Sequence, residues 1–461
     1  MQLPSDFIQQ MTQLLGETEF NQLQDVLQGE RITSIRTNPQ KCSLSVDGSL
    51  SENVPWCPTG HYLKERPVFT LDPLFHAGAY YAQEASSMFV EQAIRQHIDR
   101  LDTDEPLVLD LCAAPGGKST HLSSILNGKG WLVSNEVMKS RVGVLDENLT
   151  KWGEPHLTVT NNDPKDFAQL QGLFDILLID APCSGEGMFR KDDKAIEDWS
   201  INNVKLCCER QQRIVADAYP ALKEGGILIY STCTYNEEED EKNVQWIAEN
   251  LNASVLPIHM EEDWNVTTQG YGYHFFPHKT KGEGFFLAVL QKNEEVKSLR
   301  IKTPKQIPFT SKSIADTCSQ WLKGTDWKFI QKGDEIIAVE KKWLDISLVL
   351  QQSLRTVHNG LHVGTMKGKD ILPSEDLALS YCLQSSAFPQ VNCSWEMAIQ
   401  YLKKENLILE GQNKGIVLFC YQGIPLGFGK NLGNRCNNLY PSEWHIRMAP
   451  DKENYKSVLN P

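Results

Sequence analysis

No CxxC pair occurs among the twelve cysteines of this chain, which run from Cys42 to Cys436. That absence makes a disulfide scaffold or a zinc ribbon a poor reading, leaves no metal expected, and fits a reducing compartment. The start, MQLPSDFIQQMTQLLGETEF, lacks a cationic segment followed by an apolar one. No later stretch approaches the ~20 apolar residues needed to cross a bilayer. Secretion and membrane insertion are not expected, and a cytoplasmic location is. Net positive charge is missing too: the formal charge is -14, which argues at first against a polyanionic partner. Its distribution changes that reading. Residues 297–461 carry 21 Lys+Arg against 15 Asp+Glu, or +6, which leaves -20 for residues 1–296. An electrostatic footprint for nucleic acid would lie in the tail third. The chain also lacks internal repeats and low-complexity tracts. What it has is 461 residues, 41% of them hydrophobic, enough for two to four packed domains of ~100 to 200 residues.

Residues 106–292 alternate short apolar runs with longer amphipathic ones, the βαβα rhythm of a parallel sheet covered on both faces. Strands are expected at PLVLDLC, WLVSNE, LTVT, FDILLID, GILIYST and GFFLAVL, and helices in KSRVGVLDENLTKWG and VKLCCERQQRIVADAYPALK. In the second helix Val204, Cys207, Cys208, Ile214, Val215, Ala218 and Leu222 recur at three-to-four spacing. The adjacent cysteines are therefore expected to be core atoms, not ligands. Residues 1–100 form a mixed α/β segment with a helical start, a strand-like ITSIRTN and Pro-rich turns. The α/β unit spans 101–295. Residues 296–310 read as a linker, and 311–461 as a β-rich region with strands such as GIVLFC and repeated glycines in GIPLGFGKNLGNR.

The sharpest stretch is VLDLCAAPGGKST, residues 108–120, a buried strand running into a Gly-rich turn and a helix. Ligands bind at such strand ends, because Gly lets the backbone approach and the helix start presents free N–H groups. Two readings stand side by side. A phosphate loop needs G-x-x-x-x-G-K-[ST]; Gly117, Lys118 and Ser119 supply its end, and ILLID, ending at Asp180, resembles a metal-holding acidic strand. Its first glycine would fall at residue 112, which is Cys112. A nucleoside-binding turn tolerates Cys112 and is supported by Glu136, at the end of the next strand, where a carboxylate can accept both ribose hydroxyls. The plain alternative for Glu136 is a solvated strand end. Asp163, in TNNDPKDF, would lie near an adenine edge or serve as an Asx-turn residue before Pro164.

IDAPCSGEG and YSTCTYNEEED each place a cysteine, Cys183 and Cys233, just past the end of an expected strand. Both thiols should open into the same crevice, and two cysteines converging on one cleft are hard to ascribe to packing. Asn236 with Glu239 reads as a capping box, and Glu237, Glu238 and Glu239 suit the positive end of a helix dipole.

In order and spacing, CAAPGGKS, DAPCSGEG and STCTYNEEE resemble the motifs of the Nol/Nop/Sun group of S-adenosylmethionine-dependent RNA cytosine methyltransferases. HAGAYYAQEASSM, Arg210 with Gln211, and FFPHKTKGEGFFLAVL also look like blocks of that family, over residues 1–292. The paired cysteines distinguish these enzymes from DNA cytosine methyltransferases. The tail, with GLHVGTMKGKD and GNRCNNLYPSEWHIR, resembles the PUA-like extension of the RsmF/YebU type, which modifies small-subunit ribosomal RNA. The resemblance implies an α/β fold: a Rossmann-like class I methyltransferase sheet, an N-terminal α/β RNA-binding segment and a C-terminal PUA-like, β-rich domain. It implies transfer of a methyl group from S-adenosylmethionine to carbon 5 of a cytosine in RNA, namely small-subunit rRNA or a ribosomal subunit and not DNA, by a monomer. The cofactor would lie on Cys112, Ala113, Ala114, Pro115, Gly116, Gly117, Lys118, Glu136, Asp163 and Asp180. Cys233 would attack carbon 6, Asp180 would meet N3, and Cys183 would assist removal of the carbon 5 proton and release. Lys118 would lower a thiol pKa or contact the base. The alternative readings are a tRNA cytosine methyltransferase, an NTPase, and a non-catalytic RNA-binding assembly factor.

Overall fold

The computed structural model describes residues 2–41, 45–46, 51–297, 299, 306–409, 413–453 and 455–460. Part of the expected linker, residues 298 and 300–305, lies outside them. Each apolar run of the α/β unit is a strand: β1 (Leu107–Asp110), β2 (Trp131–Asn135), β3 (Leu157–Thr160), β4 (Phe174–Asp180) and β5 (Leu222–Thr232). They lie parallel in the order β5-β4-β1-β2-β3. Strands β6 (Ala253–Leu256), β7 (Thr267–Gln269), β8 (Gly272–Phe275) and β9 (Phe285–Lys292) extend the sheet beyond β5, with β9 antiparallel to β5, β6 and β8.

Helices cover both faces, which is why the parallel strands read as continuous apolar runs. Successive side chains point to opposite faces and so split the core in two. Val108, Leu132, Ile176 and Leu178 pack with Leu122 of α1 (Gly117–Leu126) and with Val142, Leu145 and Leu149 of α2 (Lys139–Trp152). Leu109, Val133, Leu177 and Ile179 pack with Ile214, Val215 and Ala218 of α3 (Ile201–Ala218) and with Val244 and Ile247 of α4 (Glu241–Asn250). Cys207 is buried and Cys208 half-buried on α3, both as free thiols. Leu222 falls outside that helix, because Pro220 follows its end and the chain turns directly into β5. Between β3 and β4 the chain passes to the other side of β1, so the loops leaving β1 and β4 diverge. A crevice opens at that switch point, at the carboxyl ends of the strands.

Two helices, Ser5–Leu15 and Glu17–Leu27, and a four-stranded antiparallel sheet built from 33–37, 51–53, 60–63 and 80–82 make the N-terminal module. It closes on α1 through Arg36, whose buried guanidinium donates to Gln83 Oε1 at 2.9 Å and Thr120 Oγ1 at 2.6 Å. The same group lies 4.4 Å over the Trp152 ring.

Beyond residue 306 the chain is β-rich, with one four-stranded sheet from 327–373 and another from 390–438. The tail is not a simple appendage. Strand β10 (Thr356–Asn359) pairs antiparallel with β3 and covers what would be an open parallel edge. Residues 459–460 pair with 45–46 of the N-terminal module. His358 on β10 lies between Asp146 of α2, at 3.0 Å, and Asp376, at 3.5 Å.

Burial opposes charge on His358, but Asp376 and Asp146 override it and raise the imidazole to about 9. A value raised above the ordinary 6.5 gives stability that is complete below 6.5 and is lost as pH rises through 9. Urea unfolding should show wild-type stability falling by on the order of 3 kcal/mol across that window. The His358→Asn variant should start lower and change less. Parallel pH curves for the two proteins would remove His358 from this latch.

Candidate functional site

The turn after β1 passes through Gly116 at φ 115°, a left-handed conformation that disfavours a side chain, and enters α1. Its position is fixed from three sides. Ala113 N donates to Asn135 O at 2.8 Å, and Asn135 Nδ2 donates to Leu111 O at 3.0 Å. From α2, Arg141 and Asn148 donate to the carbonyls of Ala114 and Pro115 at 2.6 and 2.8 Å. Ser119 donates to Asp110 Oδ2 at 2.6 Å, which leaves the buried Asp110 Oδ1 without a partner. Burial pushes the Asp110 carboxyl up to about 7.

A cavity of about 420 Å³ lies on one side of this turn, walled by Cys112, Ala114, Glu136, Val137, Met138, Asp163, Asp180, Cys183, Arg210 and Cys233 among others. Glu136 is only 3% exposed, so it is not a solvated strand end. Its carboxylate accepts from Met138 N at 2.8 Å and lies 3.4 Å from Arg141. Asp163 does two things at once: Oδ1 accepts from Lys165 N at 3.2 Å in an Asx turn before Pro164, and the residue still walls the cavity. On the other side lies a second cavity of about 360 Å³, lined by Tyr81, Gln83, Ala113, Pro115, Gly117, Lys118, Lys191, Gly284 and Phe285. The two share Cys112, Ala114, Asp180, Met188 and Cys233. Gly116 lines neither and serves the turn alone. Groups held in the two cavities would therefore meet at Asp180 and Cys233.

Lys118 Nζ is 2.8 Å from Asp180 Oδ2 and 5.2 Å from the Phe285 ring. Burial works against its charge, but Asp180 wins and holds the ammonium above its ordinary value. Ser231 donates to the other oxygen, Asp180 Oδ1, at 2.8 Å.

The thiols of Cys183 and Cys233 lie 2.9 Å apart, and Cys233 N points at Cys183 Sγ from 3.4 Å. The neighbouring sulfur first, and burial second, hold the Cys183 thiol well above the ordinary range. Two carboxylates tie the loops together. Glu186 accepts from Tyr235 N at 2.8 Å, Trp199 Nε1 at 3.0 Å, and Asn236 and Gln10 at 3.1 Å. Burial pushes it up to about 7, against the pull of the Tyr235 N–H. Glu239 accepts from Ser184 N at 3.0 Å and from Gln211 at 2.7 Å. This differs from the dipole reading of the acidic run. Helix α4 starts only at Glu241, and although Asn236 does cap Glu239 N at 2.9 Å, the Glu239 side chain is buried and points across to the other cysteine loop. Glu186 was not singled out by sequence; its one signal is a carboxylate set between the glycines of GEG, where a turn rather than a charge is needed.

Comparison with known proteins places these features. Residues 99–291 match the model of the 16S rRNA methyltransferase RsmB/F family, residues 3–85 that of the N-terminal domain of 16S rRNA methyltransferase RsmF, and residues 388–446 that of the methyltransferase RsmF PUA domain. The ribosomal RNA small subunit methyltransferase F of Shewanella oneidensis is 32% identical over 434 residues, covering 89% of this chain and 90% of that protein. That of Aeromonas salmonicida is 32% identical over 433 residues, with the same coverage. Among solved structures, a methyltransferase homolog from Pyrococcus horikoshii superposes with a TM-score of 0.53 at 26% identity, over 62% of this chain and 94% of that one. NSun6 from the same organism, at 20% identity and a TM-score of 0.54 over 63% of this chain and 99% of its own, shares the fold.

If the Glu186 carboxylate bridges the cysteine loops, Glu186→Ala should orphan the Tyr235 N–H and the Trp199 indole N–H. Urea unfolding should show a loss of about 3 kcal/mol, at ~1 to 3 kcal/mol for each unsatisfied buried group. Labelling of Cys183 and Cys233 by an aromatic disulfide reagent should also quicken. A loss within the ordinary range of surface substitutions, with unchanged labelling, would show that the loops hold without it.

Proposed function

The chain belongs to the ribosomal RNA small subunit methyltransferase F family, and from that premise we propose that it methylates carbon 5 of a cytosine in small-subunit rRNA through a transient bond to Cys233. S-adenosylmethionine is the methyl donor of the family. It brings an electrophilic methyl group on a sulfonium and needs nothing from the protein but placement. The residues present suit it. Glu136 and Asp163 face the larger cavity with carboxylate oxygens that have spare acceptor capacity for ribose hydroxyls and an adenine edge.

Carbon 5 of cytosine is too weak a nucleophile to take a methyl group unaided. Addition of a thiolate to carbon 6 turns the ring into an enamine and splits the barrier in two. The observation that carries this reading is the pair of thiols, 2.9 Å apart, with Cys183 on the wall of the larger cavity and Cys233 on the wall that both cavities share. Cys233 attacks from that wall. Asp180, oriented by Ser231 and Lys118, meets N3 and relays to it the proton given up by the Cys233 thiol, so that the attacked ring carries no net negative charge. Cys183 assists loss of the carbon 5 proton and release. Its largest cause of protonation is the Cys233 sulfur itself. Once that sulfur is bonded to carbon 6 that cause is gone, and Cys183 ionises more readily to take a proton in the second half of the reaction. A stacked cytosine cannot enter the smaller cavity, so the base must be looped or flipped out. The basic balance of the tail and its PUA match suit a role in holding RNA. An NTPase reading has less support, because Lys118, which a phosphate loop would aim at phosphates, is paired with Asp180.

Two predictions follow from these roles. Cys233→Ala should lose methyl transfer and form no adduct with RNA. Cys183→Ala should still attack and methylate yet fail to release, so that a denaturation-resistant protein–RNA band accumulates on a gel. Reversed phenotypes would make Cys183 the nucleophile. Separately, Glu136→Ala should weaken S-adenosylmethionine binding in calorimetry by ~1.5 to 3 kcal/mol, roughly ten-fold or more. Unchanged affinity would remove Glu136 from the cofactor site.

A further inference from the structure

Away from the crevice, three donor side chains converge where the N-terminal module meets α1. Cys57, in the turn VPWC, Glu91, on the helix Val90–Arg95, and His121, on α1, are each no more than 2% exposed. Cys57 Sγ lies 3.0 Å from Glu91 Oε2 and 3.7 Å from His121 Nε2, and His121 Nε2 lies 2.8 Å from the same carboxylate oxygen. Sulfur, nitrogen and oxygen donors this close can all touch one ion with bonds of ~2.0 to 2.3 Å, the lengths and donor types of zinc. The surroundings favour that geometry. The second oxygen, Glu91 Oε1, is taken by Arg95 at 2.5 Å, which fixes the carboxylate so that Oε2 faces the other two. Thr59 Oγ1, 3.6 Å from Cys57 Sγ, sets a hydroxyl oxygen beside the sulfur. The turn is packed so closely that a Cβ on Gly60 would stand 3.2 Å from Cys57 Cβ and 2.7 Å from Met88 Sδ.

We propose that Cys57, Glu91 and His121 form a zinc site that pins the N-terminal module to α1, the helix that carries Lys118 one turn earlier. The sequence leads one to expect no metal, since the three donors lie in separate blocks with none of the close spacing of a zinc motif. Without an ion, Cys57 S–H and His121 Nε2–H both donate to Glu91 Oε2. On zinc binding the thiol proton leaves to solvent, and the imidazole proton moves from Nε2 to Nδ1, an atom with no partner of its own. The dication then meets one thiolate and one carboxylate, so the buried cluster carries no net charge. Because binding releases the thiol proton, it should weaken as pH falls. The role is structural: all three donors are used in holding two modules, and none reaches either cavity of the crevice.

The test is the zinc content of the full-length protein, purified without chelator and measured by plasma mass spectrometry, followed by cobalt exchange. Stoichiometric zinc, its loss in His121→Ala, and a thiolate-to-cobalt charge-transfer band that is absent from Cys57→Ser would support the site. Should His121→Ala not fold, the chelator-stripped wild-type protein serves instead: adding zinc should raise its Tm, and the same addition should leave Cys57→Ser unmoved. A wild-type chain that holds no zinc, and takes up none in titration against a chromophoric chelator, would overturn the proposal and leave a hydrogen-bonded triad. A cobalt band that survives in Cys57→Ser would overturn it as well, by placing the metal elsewhere.

Discussion

Two carboxylates shut away from water, Glu186 and Glu239, hold the loops that follow β4 and β5 against each other, and the reactive geometry depends on them. A parallel sheet delivers its strand ends to one edge but does nothing to order the loops beyond, which keep their conformational freedom unless something removes it. Cys183 and Cys233 stand fifty residues apart in the chain. Their separation is set by Tyr235 N and Trp199 on Glu186, and by Ser184 N and Gln211 on Glu239. Burying a carboxylate is costly unless its oxygens are fully hydrogen-bonded, so each of these contacts is also a demand for one loop conformation. The two thiols are thereby positioned before any ligand arrives.

Around that pair the crevice divides its work. The larger cavity sets Glu136, Asp163 and Asp180 alongside Arg141, Arg210 and Arg213, a mixed wall that suits a donor carrying an ammonium, a carboxylate and ribose hydroxyls. The smaller one offers two aromatic rings, two lysines and Gln83, which suits a polar, flat base. Asp180 belongs to both, with one oxygen held by Ser231 and the other by Lys118. Its orientation is thus fixed from the sheet on one side and from α1 on the other. The seam between the N-terminal module and α1, where Arg36 and the Cys57, Glu91 and His121 cluster lie, bears on the chemistry through that helix.

Much of this was legible in the sequence. All six expected strands of the α/β unit are present, five parallel and β9 antiparallel, because strands buried on both faces leave an unbroken apolar run that needs no knowledge of partners. Glu136 and the two cysteines could be placed because each lies directly after such a strand. What could not be read was pairing between distant segments. Glu239 has the spacing of a capping box and its N–H is capped by Asn236, yet its side chain serves a loop that lies far away in sequence. Nothing in TVHN announces that β10 completes the sheet, since strand pairing at that separation is set by an exposed edge rather than by local pattern. Cys57, Glu91 and His121 each look like ordinary residues of their own element, and only the packing of three elements brings them together.

The central claim, that Cys233 bonds to the base, is tested most directly with RNA carrying 5-fluorocytidine in place of cytidine. Fluorine at carbon 5 cannot leave as the proton does, so the intermediate should be arrested after methyl transfer. Protease digestion and mass spectrometry of the trapped protein should find the nucleotide, methylated, on the peptide that contains Cys233. Attachment at Cys183, or methyl transfer to natural RNA with no trapped species on the fluorinated one, would contradict the account.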